Sequence, residues 1–360
     1  MEAASGKMMD QAGEVADSLR MIRDSAAALV PRGDLRRVRA LRFSAPGFNR
    51  AAWRQICALG WPGLSLPESA GGSGLGMRAL VALAEELGVG LVPEPLILAA
   101  MAARVLTDPP LAALLKGESI VIPAWQEHPN NLAMDDETIV EGDRITGKKL
   151  FIPMAGGADL FLVSARGGLG LVARDAPGAM LALERTQDGG FFGTLTLDCA
   201  PATPIPGNLS RALEEATLAT AAYLLGVMGR AFAITLDYLR TRVQFGRPIG
   251  AFQALRHRAA DLKIQLELSR ASIESAAATL DSGAPLPLCR VAVSRAKARA
   301  SDAALLITRQ AIQLHGGIGY TDEHDIGLFL RKAMVLANLY GSAALHRARY
   351  AALAAEDDDG

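Results

Sequence analysis

The chain has 360 residues, half of them hydrophobic, with a mean hydropathy of +0.21 and 37 Lys and Arg against 38 Asp and Glu. That length exceeds what one core supports, so two or three sub-domains are expected, and the interspersed, near-neutral charge excludes the strongly basic face of a nucleic-acid binder. Cys57, Cys199 and Cys289 are too few and too scattered for a disulfide framework or a zinc cluster, and the N-terminus lacks the pattern of a signal peptide, so a reducing, cytoplasmic setting is expected.

Residues 1–118 are rich in alanine and leucine with helical periodicity, broken at PRGD, APGF, GWPGLSLPESAGGSGLG and VPEP, which predicts four to six helices, 47–59 and 77–88 among them. From 119 to 206 the runs SIVIPAW, TIVEG, RITGKKLFIPM, DLFLVSA, LGLVARD and FFGTLTLD alternate with Gly, Asp and Pro, the pattern of a small antiparallel β domain. Residues 207–360 return to helix over 211–241, 254–281, 288–315 and 324–355, interrupted by QFGRPIG, SGAPLP and HGGIGYTDE; four such lengths make an antiparallel four-helix bundle. The apolar stretch 216–236 carries Thr217, Thr220, Tyr223 and Arg230 and reads as a buried helix, not a membrane span. The fold class expected is mainly α with a middle antiparallel β domain.

The five histidines never fall at HExxH spacing, so no metal site is expected, and the glycine-rich stretches 70–76 and 166–172 lack the dinucleotide fingerprint. Two interhelical turns carry more chemistry. RTRVQFGRPIG sets Arg242, Gln244 and Phe245 where one long helix stops, and QLHGGIGYTDEHD sets Gln313 before Gly316 and Gly317, which let a backbone approach a ligand closely. A flat, anionic ligand such as a nucleotide diphosphate suits both. Local features equally admit an Arg242 paired with a carboxylate and glycines that cap helices.

With YLRTRVQFGRPIGAFQALRHRAADLKIQLELSRA and QLHGGIGYTDEHDIGLFLRKA the chain resembles the acyl-CoA dehydrogenases over nearly its whole length. The resemblance implies an N-terminal helical domain, a middle β domain and a C-terminal four-helix bundle, the order read above. It implies FAD, an acyl-CoA thioester oxidised at Cα–Cβ to an enoyl-CoA, a carboxylate base, and an electron-transferring flavoprotein as acceptor. Arg242, Gln244 and Phe245, with Gln313, Gly316 and Gly317, fall on the family's contacts to the pyrophosphate and adenine half of an FAD bound mainly by a neighbouring subunit.

The flavin-ring half departs from the family. AWQEHPNN, with Trp125 and Gln126, stands where the family has a Thr-Glu-Pro-Gly-rich segment, and Phe151, Ile152 and Pro153 replace its Trp-Ile-Thr step, proline offering no amide hydrogen. Tyr340 stands at the late glutamate. At the alternative position for a catalytic glutamate the chain has Ala216, leaving its neighbour Glu215 as candidate base, against a reading of Glu214 and Glu215 as acids that complement the helix dipole. Ala219, Thr220 and Ala222 fall on the acyl-pocket helix, where small residues also serve ordinary packing. In these departures the chain is similar to the small subunits of heteromeric acyl-CoA dehydrogenases acting on dicarboxylyl-CoA or steroid side-chain CoA thioesters, which implies a homologous large partner. A self-sufficient homotetramer and a non-catalytic scaffold remain the alternatives.

Overall fold

The computed structural model describes residues 2–30, 32–134 and 137–358. The N-terminal part holds α1 (Glu2–Leu29), α2 (Arg36–Leu41), α3 (Arg50–Ala58), α4 (Gly76–Val89), α5 (Leu96–Ala103) and α6 (Pro110–Leu115). Helix α3 starts later than the periodicity over 47–59 suggests. The Asn49 side chain accepts hydrogen bonds from the Ala51 and Ala52 amides, an N-cap worth about 1 kcal/mol that fixes the first turn there.

Eight strands follow: β1 (Val121–Ala124), β2 (Ile139–Glu141), β3 (Arg144–Pro153), β4 (Leu160–Ala165), β5 (Gly168–Ala173), β6 (Ala179–Arg185), β7 (Phe191–Pro201) and β8 (Thr203–Ile205). They form two four-stranded sheets, ordered β1-β4-β5-β8 and β2-β3-β7-β6. One pairing corrects the antiparallel expectation: β1 and β4 run parallel, Val121 opposite Leu160. Between them the chain crosses into the other sheet to make the β2–β3 hairpin, and residue alternation does not encode the direction of such a return. The segment leaving β1 is tied to β3 by a fully buried ion pair, Lys149 Nζ to Glu127 Oε1 at 2.6 Å. Burial disfavours the charged Glu127 carboxyl, but Lys149 and Thr138 together hold it below its usual range.

The bundle comprises α7 (Ser210–Thr241), a two-residue hairpin of β9 (Val243–Gln244) and β10 (Arg247–Pro248), α8 (Gln253–Asp281), α9 (Leu286–His315), α10 (Gly317–Tyr320), α11 (Ile326–Leu336) and α12 (Ala343–Asp358). The single helix expected over 324–355 is instead two, α11 and α12, meeting at a corner where Tyr340 (φ 58°) and Gly341 (φ 103°) turn left-handed. The apolar α7 has the length and composition of a span, yet 78% of its most apolar window is buried among the other helices. It crosses α4 at unusually short range. A Cβ on Gly226 would sit 1.9 Å from the Glu85 carbonyl oxygen and one on Gly88 2.1 Å from that of Tyr223, so both helices need glycine at the contact.

Candidate active site and cofactor half-site

The sequence points to two places, both anchored on α7 but at different heights. The first is its C-terminal end. Helices α7 and α9 run the same way because α8 returns between them, so their C-terminal turns share one end of the bundle, where the Tyr238 and His315 rings stack at 4.4 Å and His324 closes on His315 at 4.6 Å. The structure thereby brings Arg242, Gln244 and Phe245 to the same end as Gln313, Gly316 and Gly317.

The hairpin there is closed by backbone hydrogen bonds. Gln244 pairs with Arg247 across Phe245 (φ 52°) and Gly246 (φ 76°), two positive φ angles as a type I′ turn requires, and the Ile249 amide closes onto the Arg242 carbonyl at 2.8 Å. Arg247 lies over the Phe252 ring at 4.2 Å, whereas the Arg242 guanidinium has no hydrogen-bond or ion-pair partner among the described residues. Phe245 is 91% exposed in a backbone conformation that costs a bulky residue free energy. Gly316 adopts φ 65°, ψ −142°, a region essentially closed to other residues, and a Cβ at Gly246, Gly316 or Gly317 would meet nothing within 4 Å. The space beside these glycines is not used by the chain's own packing.

One exposed cation, an amide, an aromatic face and backbone without side chains are a fitting donor set for the diphosphate and adenine of FAD. The ring side does not fit. Gln126 spends its amide on the His128 carbonyl at 2.9 Å, Phe151 packs edge-on to Phe192, Trp125 is buried, and Pro153 has no amide hydrogen to donate.

The second place lies about 28 Å back along α7, taking 19 residues from Tyr223 to Arg242 at the helical rise. Two cavities there share the wall Pro153, Met154, Lys332, Leu336 and Leu339 and offer only about 80 and 60 Å³, against several hundred for a small-molecule site. Of the small α7 residues, Thr220 reaches the second cavity, while Ala219 and Ala222 are buried in helix contacts.

The carboxylates lining these cavities are neutralised. Glu94 accepts two hydrogen bonds from Arg37, at 2.5 and 3.1 Å. Asp188 pairs with Lys332; burial disfavours its charge, but Lys332, Thr186 and the Gly190 amide hold its carboxyl below the usual range. Tyr223 donates to the Val92 carbonyl at 2.9 Å, and burial, with the charges of Asp188 and Glu94, pushes its hydroxyl well above the ordinary value. Burial does the same to Tyr340, which stacks on Trp125 at 6.5 Å. Among the described residues lining these cavities, both carboxylates are thus committed to ion pairs.

Glu215 does not reach either cavity. It is buried on the α5 side of α7 beside Arg104 (2.9 Å) and Arg211 (3.5 Å); burial raises its carboxyl despite both arginines. Glu214 is likewise buried, held by two 2.8 Å bonds from Arg349. Both acids thus lie in buried ion pairs past the first turn of α7, whereas the sequence offered Glu215 as a candidate base or the two as first-turn acids complementing the helix dipole. Periodicity places these residues on the helix but cannot say that arginines from α5 and α12 meet them.

Comparison with known proteins agrees with this architecture. Residues 16–113 match the family description "Acyl-CoA dehydrogenase, N-terminal domain" and residues 208–354 "Acyl-CoA dehydrogenase, C-terminal domain". The chain is 31% identical to "Acyl-CoA dehydrogenase IpdE2" of Mycobacterium tuberculosis over 330 residues, 89% of this chain and 92% of that protein. Among solved structures it is similar to a variant of the "Tcur3481-Tcur3483 steroid ACAD" (TM-score 0.84, 32% identity, 98% of this chain and 99% of that one). It is also similar to the "ChsE4-ChsE5 complex from Mycobacterium tuberculosis" (TM-score 0.83, 25% identity, 94% and 97%). On fold, motifs and relatives alike, the chain belongs to the acyl-CoA dehydrogenase family of FAD-dependent oxidoreductases.

Proposed function

We propose that this chain is one subunit of a heteromeric acyl-CoA dehydrogenase, contributing half a cofactor site to a homologous, larger partner. The observation that carries the reading is the contrast between the two places on α7. Its C-terminal end presents Phe245, 91% exposed on a closed hairpin beside an unpaired Arg242; its middle lines a cavity of about 60 Å³ whose carboxylate, Glu94, is held by Arg37. A homo-oligomer of this chain could also use the first place, on a neighbouring copy, but it would need the second place open. Two of the structures it resembles carry two component names in their titles, which supports a paired assembly.

In this reading Arg242 supplies charge to the diphosphate, Phe245 a face for the adenine, Gln313 an amide, Gln244 the second hydrogen of an amide whose first is donated to the Val243 carbonyl at 2.8 Å, and Gly316 and Gly317 room for close approach. FAD, when bound, supplies the hydride acceptor for α,β-dehydrogenation of the thioester. The base and the ring contacts come from the partner, and an electron-transferring flavoprotein takes the electrons. The steroid named in one relative's title makes a bulky acyl-CoA the substrate class to try first.

The test is purification of the chain alone and after co-expression with a homologous acyl-CoA dehydrogenase that retains the flavin-ring segment. The expected result is a colourless chain alone and a yellow, substrate-bleachable complex. A yellow, bleachable homo-oligomer of this chain would overturn the proposal in favour of a self-sufficient enzyme, and a flavin-free complex would leave the chain a scaffold.

A further inference from the structure

The corner between α11 and α12 is held by two buried side chains that the proposed function does not use. Lys297, on α9, has no exposed surface, and its Nζ lies 3.0–3.1 Å from the Ser301 hydroxyl and the carbonyls of Leu336, Ala337 and Gly341. The Leu336 carbonyl is the last of α11 and Ala337 is its C-cap, so no amide of the helix reaches either, and the Gly341 carbonyl lies at the corner, on the α12 side of Tyr340. One ammonium therefore spans both sides of the break. Burial pushes the Lys297 amine down to about 7, and the four oxygens around it are the counterweight that favours its charged form.

His346, on α12 and also without exposed surface, reaches the Tyr340 carbonyl through Nε2 at 2.8 Å. A Cβ on Gly341 would come within 2.9 Å of the same Nε2 and 3.0 Å of Leu132, so the corner admits no other residue without a shift.

The clamped corner determines where Tyr340 points. A tyrosine at φ 58° persists only where its surroundings enforce it. Its ring is 3% exposed, stacked on Trp125, and forms one wall of the 60 Å³ cavity; its hydroxyl makes no hydrogen bond among the described residues. A buried hydroxyl without a partner costs about 1–3 kcal/mol, so the ring is held there against a local penalty.

We propose that Lys297 and His346 are positioning residues that clamp the α11–α12 corner and thereby fix Tyr340 as the plug of this chain's own acyl cavity. The inference deepens the half-site reading, from which the cavity takes its name and the plug its purpose.

Two measurements on the full chain test it. Hydrogen exchange in Lys297→Met should quicken at least tenfold across 337–342 and stay unchanged in the interior of α7; unchanged exchange at the corner would overturn the clamp. Should Lys297→Met fail to fold, His346→Leu carries the same test. Tyr340→Ala should enlarge the cavity toward the scale, about 150 Å³, at which an apolar void binds benzene, so benzene should raise its melting temperature saturably and leave the parent chain unmoved. No benzene effect on Tyr340→Ala, or an equal effect on the parent, would overturn the plug. Flavin found on the chain alone would sink the half-site reading while leaving both readouts as they are.

Discussion

Arg242→Ala separates cofactor binding from folding. In the isolated chain the guanidinium is exposed, caps nothing with its side chain and pairs with no described residue; what fixes the turn is the backbone, through the Arg242 amide on the Tyr238 carbonyl and the Ile249 amide on the Arg242 carbonyl. Removing the side chain should therefore move the chain's own stability by less than about 0.5 kcal/mol, as at other surface positions. In the proposed assembly, with Arg242 on the diphosphate, the same change would remove a charge-assisted contact to a phosphate, about 1.5–3 kcal/mol. That corresponds to roughly 10- to 150-fold weaker FAD retention. The assay pairs urea unfolding of the chain alone with flavin absorbance of the complex after extensive dialysis. Flavin content equal to the parent's would refute the assignment, and so would a loss of flavin matched by a loss of stability, which would make Arg242 structural.

Gly226→Ala should destabilise the chain by about 3 kcal/mol, because the new methyl would meet the Glu85 carbonyl at 1.9 Å and restoring ordinary contact needs a shift of roughly 1.5 Å. Glu85 is held by Arg23 at 2.8 Å and Arg270 at 2.7 Å, which resists that shift; a change in urea stability below about 1 kcal/mol would contradict the close crossing. For His346, burial and the charges of Lys297 and Arg349 push the imidazole down to about 3, whereas in the unfolded chain it titrates near 6.5. Below pH 6.5 the unfolded chain takes up a proton that the folded chain refuses, so stability falls as pH drops from about 6.5 toward 3, by up to about 1.4 kcal/mol per unit. His346→Leu should flatten that dependence between pH 4 and 6, and an unaltered slope would place the histidine's proton elsewhere.

The parts legible in the sequence are those written in local pattern. Helix and strand periods, and the proline and glycine breaks between them, give the α, β, α order, and the hairpin at Phe245 and Gly246 is foreshadowed by its glycine. What is missing is set by partners far away in the chain. The break at Tyr340 lies in a helical pattern that carries glycine at two places, Gly327 and Gly341, of which only the second marks it, and it is stabilised by Lys297, some forty residues earlier and indistinguishable in sequence from a solvent-facing lysine on an alanine-rich helix. Strand β6 leaves little signal in the sequence, because its Leu and Met alternate weakly and lie largely exposed at a sheet edge. Glu215 read as a candidate base because its helical position is visible while Arg104, its partner from α5, is not.

The same distinction explains why the two places on α7 have parted company. Residues about 28 Å apart on one rigid helix cannot be brought to a common ligand by bending it, since the close α4 crossing at Gly226 lies between them. Arg242 and its hairpin are thus available only to something outside the chain. Substitutions that close the cavity near Tyr223 leave that outer end intact, because the two share no side-chain contact and their energetics add independently. Under the proposed function, a second, homologous chain with an open cavity would supply what this one has shut, and the exposed Phe245 would lie where the two meet.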